Sequence, residues 1–279
     1  MEIVLKNLNA GYLTAKKEYS LVIENMTINF ESGKFHFLAG VSGSGKSTLL
    51  ETICFLIKKI SGEILFDNKS IENKNNLNIF RKSSGIILQY TEKQFFYDTV
   101  EEEIIFNLKR NKISSEEIKN KLYEIIEKLN IDRKLLYASP FEISGGEKRM
   151  VALASVLISS QKILFLDEPT VGLDFESKKI FMSALNNFNK DFKLTIIQSS
   201  HILEDIIEYG DTVLILNKNK QFIKGNPKDL LFSEEVLNNY GLKEPEIFKY
   251  IKELKNLGIK DIDNIKTNSE LIKKLFYNN

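Results

Sequence analysis

An α/β fold built on a mostly parallel sheet is what three features of this 279-residue chain predict. Short apolar runs at 35–40 (FHFLAG), 162–168 (KILFLDE), 194–201 (LTIIQSSH) and 211–217 (DTVLILN) each end in polar or glycine residues, and helical segments alternate with them. Unbroken apolar strands of this kind are buried on both faces, which is how parallel sheets sit between helices. The residues with chemistry to offer all follow the C-terminal ends of these runs, where an open α/β sheet forms its ligand crevice.

Taken in order, the run at 35–40 enters a glycine-rich loop, GVSGSGKST at 40–48, and KSTLLETICFLI leaves that loop as a helix. The stretches at 21–30 and 61–67 alternate apolar with polar residues, which predicts strands of a smaller antiparallel sheet. Between Gln89 and Gln161 the pattern becomes helical. SSEEIKNKLYEIIEKLNI opens with the capping-box spacing Ser114–Glu117 and sets Ile118, Leu122, Ile125, Ile126 and Leu129 on one face. A helical insertion over about residues 90–160 follows. Gly225 and Pro227 then punctuate the chain. Beyond them lies a Lys/Glu/Leu/Ile-rich tail, 226–279, in which EPEIFKYIKELKNLGI reads as a helix. At roughly fifty residues it is too small to hold together without docking.

Composition narrows the function. A hydrophobic fraction of 43% supports a large core. Lys+Arg 39 against Asp+Glu 38 leaves a net charge of +1, without the basic footprint of a nucleic-acid binder. The basic runs IKNKL and NKNK sit among acids and read as solvated faces. One cysteine rules out a disulfide framework, and two histidines with no cysteine cluster lack the spacing of a zinc site. Cys54, within LLETICFLI, reads as a small buried hydrophobe in a reducing, cytoplasmic setting. The opening MEIVLKNLNAGY lacks a signal-peptide pattern. No stretch approaches the ~18 apolar residues that span a bilayer. Work at a membrane would need another chain to hold this one there.

GVSGSGKST fits the phosphate-loop pattern G-x-x-x-x-G-K-[ST], with Gly40, Gly45, Lys46 and Ser47 in register. Between them Ser42, Gly43 and Ser44, with Thr48 behind, complete a cradle of backbone N–H groups. Lys46 reaches the β- and γ-phosphates and the Ser47 hydroxyl ligates Mg²⁺. Strand, loop and helix in that order make this a nucleoside-triphosphate site. ILFLDEPT supplies the second half: Asp167 ends a buried strand as a metal anchor, and Glu168 is placed to polarise a water for in-line attack. A second glycine-rich helix start, ISGGEKRMVALASVL at 143–157, is a puzzle, because the chain already has its phosphate loop.

The order of phosphate loop, Gln89, ISGGEKRMVALA, ILFLDEPT, VGLD and His201 resembles the nucleotide-binding subunits of ABC transporters, over residues 1 to about 225. The resemblance implies a P-loop NTPase of the ABC ATPase kind with ATP and Mg²⁺ as ligands. Its core would be mostly parallel, with an antiparallel β subdomain, an inserted helical subdomain and a small α-helical C-terminal extension. It implies that Gln89 touches Mg²⁺ or the water and reports to a membrane partner, and that His201 contacts the γ-phosphate. Asp174 would communicate across a dimer, and Tyr12 or its competitor Tyr19 would stack on adenine. Ser144, Gly145 and Gly146 would hold the γ-phosphate bound to the opposite subunit, which resolves the puzzle of the second glycine-rich start.

QYTEKQFFYDTVEEEI, SPFEISGGEKRMVALASVL and the 225–259 stretch are similar to the ATPases of energy-coupling factor (ECF) transporters, nearer the second of their two paralogous types. That family imports vitamins and transition-metal ions. The similarity implies a peripheral subunit on the cytoplasmic face of the membrane. It would pair with a second ATPase subunit, identical or paralogous, and work with a membrane-embedded coupling protein and a substrate-binding membrane subunit. The tail would be a subunit contact. Three positions depart from the pattern: Thr91 for proline, Asn107 for glycine and Glu147 for glutamine. The alternatives are the ATPase of a conventional ABC importer, or a soluble ABC ATPase acting on ribosomes or DNA. A single phosphate loop and near-zero net charge tell against the latter. An ATP-gated clamp without chemistry would have lost Glu168 or His201, and both are present.

Overall fold

The computed structural model describes residues 1–13, 18–109, 113–262, 265 and 267–276. The chain opens with β1 (Ile3–Leu13), β2 (Tyr19–Phe30) and β3 (Phe35–Ala39), and then turns through the phosphate loop into α1 (Lys46–Ile53). Next come β4 (Ser61–Phe66), β5 (Lys69–Ser70), α2 (Lys74–Ser83) and β6 (Ser84–Ile87). The helical stretch holds α3 (Val100–Lys109), α4 (Ser115–Lys128) and α5 (Gly145–Leu157). The chain returns through β7 (Ile163–Asp167), α6 (Phe175–Phe192), β8 (Thr195–Ser199), α7 (Leu203–Tyr209), β9 (Thr212–Leu216) and β10 (Phe222–Gly225). It closes on α8 (Pro227–Leu230), α9 (Glu234–Tyr240), α10 (Glu246–Asn256) and α11 (Asn268–Phe276). The small sheet runs β2-β1-β4-β5, with β5 antiparallel to β4.

Contacts divide the chain into two compact units. The first comprises Met1–Leu5, Asn29–Gly33 and Glu63–Gln198. Its strands β8, β7 and β6 lie side by side, and β6 and β7 are parallel with Ile87 opposite Leu166. The apolar run of β7 is buried from Ile163 to Leu166, as a strand covered on both faces must be. In the helical stretch Ser114 caps α4 by accepting from the Glu117 N–H at 3.2 Å. Leu122, Ile125, Ile126 and Leu129 are buried on one face as the spacing predicts, and Ile118 is half-buried. Helix α5 packs on α3 and α6.

The second unit comprises Lys6–Ile28, Lys34–Gly62 and Ser199–Asn279. Here β3 pairs in parallel with β9, Leu38 opposite Leu214, and β10 adds antiparallel to β9. The tail after residue 225 belongs to this unit and carries an apolar cluster of its own: Ile247, Ile251, Ile262, Ile265 and Leu271. It docks by an edge-on Phe232–Phe248 contact and by the Glu246 N–H donating to Glu204 Oε1 at 3.0 Å. Two expectations need correction. The helix after the phosphate loop stops at Ile53, because Phe55 turns to the left-handed region (φ 58°). Cys54, as the residue that ends the helix, is therefore half-buried rather than enclosed.

Candidate active site

The phosphate loop folds as its residue types require. Gly40 (φ 147°) and Gly45 (φ 104°) adopt backbone angles that strain any side chain. A Cβ on Gly40 would lie 2.4 Å from the Leu216 carbonyl oxygen, and one on Gly45 would lie 2.9 Å from Val22. The Ser44 N–H closes the turn onto the Val41 carbonyl at 3.1 Å. Lys46 is buried, and its ammonium donates to the carbonyls of Gly40 (2.9 Å) and Val41 (3.4 Å). The Ser44 hydroxyl is buried without a hydrogen-bond partner among the described residues. Gly43 and the exposed Ser42 and Ser47 line the open side of the loop. An orphaned hydroxyl amid backbone N–H groups at a helix start suits a phosphate oxygen.

The same unit brings two further candidate residues, His201 and Tyr12, to this end of β3. The Ser200 N–H donates to the Leu38 carbonyl at 3.0 Å, which seats the turn bearing the exposed His201 beside the strand that feeds the loop. The Tyr12 hydroxyl lies 3.1 Å from Thr48 Oγ1 and 3.4 Å from Glu51 Oε2, so its ring flanks the first turn of α1. Its competitor Tyr19 is more exposed, at 62% against 47%. The loop between them includes residues 14–17, outside the described residues.

In the first unit the parallel register of β6 and β7 carries Gln89 and Glu168 out of neighbouring strands at the same end. Asp167 ends β7 half-buried. Glu168 follows with φ 44°, a left-handed conformation that a non-glycine residue holds at a cost of about 1–2 kcal/mol. Strain of this sort is often held at functional sites, and Glu168 itself is half-buried.

The second glycine-rich start is the N-terminus of α5. Ser144 caps it, its hydroxyl accepting from the Glu147 N–H (3.3 Å), while the Ser144 N–H donates to Glu147 Oε2 (2.8 Å). The Ser144 hydroxyl proton stays available to an anion, and both Ser144 and Gly145 are exposed. A Cβ on Gly145 would meet nothing within 4 Å, whereas one on Gly146 would lie 2.6 Å from Ser177 Oγ. That Ser177 belongs to the start of α6, where Asp174 accepts from the Ser177 N–H (2.9 Å) and hydroxyl (2.6 Å). These two bonds, the hydroxyl's first, hold the Asp174 carboxyl below the usual aspartate range. Asp174 is thus exposed with both oxygens engaged in its own helix cap.

A family model described as ABC transporter matches residues 23–171, more than half of the chain and from before the phosphate loop to beyond Glu168. The chain belongs to the ABC transporter ATP-binding family. It is 34% identical over 277 residues to the energy-coupling factor transporter ATP-binding protein EcfA2 of Clostridium tetani, covering 99% of this chain and 96% of that one. It is also similar to the structure of cbiO1 from Clostridium perfringens, part of the ABC transporter complex cbiONQ. That pair has a TM-score of 0.76 at 29% identity, over 90% of this chain and 98% of that one. A post-hydrolysis dimer of the ATP-binding cassette MJ0796 with ADP and Pi gives a TM-score of 0.71 at 25% identity, over 81% and 98%. The fold is that of an ABC ATPase, and the protein is an ATP-hydrolysing cassette.

Within this ABC ATPase each of the three departing residues makes a side-chain hydrogen bond. Thr91 is buried and its hydroxyl accepts from the guanidinium of Arg149 (3.1 Å), which a proline could not do. Glu147 completes the cap at Ser144 with both of its hydrogen bonds. Asn107 Nδ2 donates to the Ser155 carbonyl at 3.4 Å, a bridge from α3 to α5. Sequence reasoning missed Arg149. In the sequence it is one cation in an EKR run at a helix start, and no spacing rule links it to residues sixty positions earlier.

Proposed function

We propose that this ABC ATPase is the ATP-binding and hydrolysing subunit of an energy-coupling factor importer. It works as a dimer on the cytoplasmic face of the membrane, with separate coupling and substrate-binding membrane subunits taking up a vitamin or a transition-metal ion. The observation that carries the reading is similarity to an energy-coupling factor ATPase along 99% of the chain, the tail after residue 225 included. In this reading 1–225 is the ATPase domain, about 90–160 its helical subdomain, and 226–279 a contact with the second ATPase subunit. Among the described residues no helix is long and apolar enough to cross a membrane, so the chain's place at the bilayer depends on those partners.

The residues divide the work. The loop N–H groups from Gly40 to Thr48 and the Lys46 ammonium bind the β- and γ-phosphates, and Tyr12 stacks on the adenine. Glu168 orients the attacking water and takes up its proton, and His201 contacts the γ-phosphate. Ser144, Gly145 and Gly146 bind the γ-phosphate held by the partner subunit, for which the open, exposed start of α5 has room. The Ser47 hydroxyl, Asp167 carboxylate and Gln89 amide oxygen are hard donors of the kind Mg²⁺ accepts beside phosphate and water. When bound, the ion neutralises charge on the β- and γ-oxygens. Asp174, engaged at its own cap, supports the Gly146 edge through Ser177.

The test is purification of the tagged chain from membranes of its own cell and identification of what accompanies it by mass spectrometry. Recovery with a second ATPase and a membrane coupling protein is expected. Recovery with the permease pair of a conventional importer would refute the assignment to energy-coupling factor transporters.

A further inference from the structure

The guanidinium of Arg149 is a charged group that no step above uses, and its placement is unusual. It sits in the second turn of α5, only 7% exposed, and reaches across to the segment that carries Gln89 out of β6. Nη2 donates to the Gln89 carbonyl at 2.6 Å, and Nη1 donates to Thr91 Oγ1 at 3.1 Å and to the Leu88 carbonyl at 3.4 Å. Three acceptors within four residues are thus gathered by one planar fork, a geometry that the point charge of a lysine cannot reproduce. The rest of the segment is pinned from other directions. Gln94 Oε1 accepts from the Leu88 N–H at 3.1 Å. Glu103 Oε2 accepts from the N–H groups of Phe96 (2.9 Å) and Tyr97 (3.1 Å). Residues 88–97 form no regular strand, so these side chains do the work that a hydrogen-bond ladder does elsewhere.

We infer that Arg149 is a positioning residue for hydrolysis. It holds the Gln89 backbone so that the Gln89 side chain stays in line with Glu168 at the neighbouring strand end. It also ties that placement to α5, the helix whose start carries Ser144, Gly145 and Gly146. Arg149 acts only through Gln89, and the inference rests on reading Gln89 as the contact to Mg²⁺ or the attacking water. The buried Thr91 hydroxyl is the acceptor that fixes where the fork sits.

The test is steady-state ATP hydrolysis by the purified full-length chain, comparing Gln89→Ala, Arg149→Lys, Thr91→Val and the two doubles that combine Gln89→Ala with each of the others. A displacement of about 1 Å in a positioned group costs on the order of a hundredfold, so Arg149→Lys should lower kcat roughly ten- to hundredfold while KM for ATP moves less than about twofold. Thr91→Val should lower kcat by a smaller factor in the same way. In the Gln89→Ala background neither substitution should lower kcat further, because the side chain they position is gone. Losses that multiply in the doubles would overturn the inference, since a residue that merely supports α5 would act independently of Gln89. So would an unimpaired Arg149→Lys beside an impaired Gln89→Ala. Wild-type kcat in Gln89→Ala would instead overturn the reading of Gln89, and the inference with it. If Arg149→Lys fails to fold, the comparison of Thr91→Val in the two backgrounds decides by the same criterion.

Discussion

Replacing Gly145 with Asp tests whether the start of α5 serves a partner subunit's phosphate rather than this chain's own. Within the chain the substitution has little to disturb, since a Cβ at Gly145 meets nothing within 4 Å. Glycine in a helix is destabilising by roughly 0.5–1 kcal/mol relative to alanine, and a carboxylate at a helix N-terminus is favourable by about 0.3–1 kcal/mol. The variant should therefore unfold at or slightly above the wild-type temperature. The chain's own phosphate loop is left unaltered, so nucleotide affinity should be unchanged. A phosphate arriving from a second subunit would meet a like charge instead of a helix start. Two unit charges about 4 Å apart repel by ~1 kcal/mol in bulk water and ~4 kcal/mol at the effective dielectric near a protein surface. That range weakens the closed dimer between about fivefold and a thousandfold. The assay combines thermal unfolding, nucleotide binding and ATP turnover on one preparation. Gly145→Asp with wild-type turnover would refute the assignment of this helix start to the partner's γ-phosphate. Gly146→Ala provides the contrast: its Cβ would press on Ser177 Oγ, now 2.6 Å away, and displace the Ser177–Asp174 bond, a loss of about 1 kcal/mol within the chain itself.

Glu168→Gln removes the carboxylate that follows β7, and turnover should fall about 10²–10⁴-fold with ATP binding retained; hydrolysis at the normal rate would show that another group serves the water. Lys46→Ala should weaken ATP binding by a charge-assisted hydrogen bond, about 1.5–3 kcal/mol or roughly ten- to a hundredfold, read by titration calorimetry. Ile262 is fully enclosed in the tail's apolar cluster, so Ile262→Ala should cost about 2–5 kcal/mol there. Faster amide exchange across 246–276 with normal ATP affinity is the expected result, and unchanged exchange would show that the cluster does not hold the tail.

Much of this was legible because it is local. The runs at 35–40, 162–168, 194–201 and 211–217 became β3, β7, β8 and β9 with ends shifted by a residue or so, since a fully apolar strand announces its own burial. Helix α4 was readable from one cap and one face for the same reason. The overlong reading of α1 has an equally local cause working the other way: LLETICFLI is apolar enough to continue a helix, yet Phe55 turns left-handed and ends it. What could not be read were pairings between distant residues. Arg149 with Gln89, Thr91 with Arg149, and Gly146 against Ser177 each join segments whose meeting depends on how helices and strands pack.

The sequence by itself supplied the candidate chemistry: a phosphate-loop pattern at 40–48, adjacent carboxylates at Asp167 and Glu168, and a second glycine-rich helix start at Ser144. Those patterns reside in residue types at fixed short spacings, which a loop or a helix start makes recognisable. Only the tertiary structure decided which of these groups is free to act outward and which is already engaged. Gly145 faces open space, Asp174 spends both oxygens on its own helix, and Gln89 is held by an arginine sixty residues later. Clearance and hydrogen-bond occupancy are properties of the whole packed surface, and no short stretch of residues contains them.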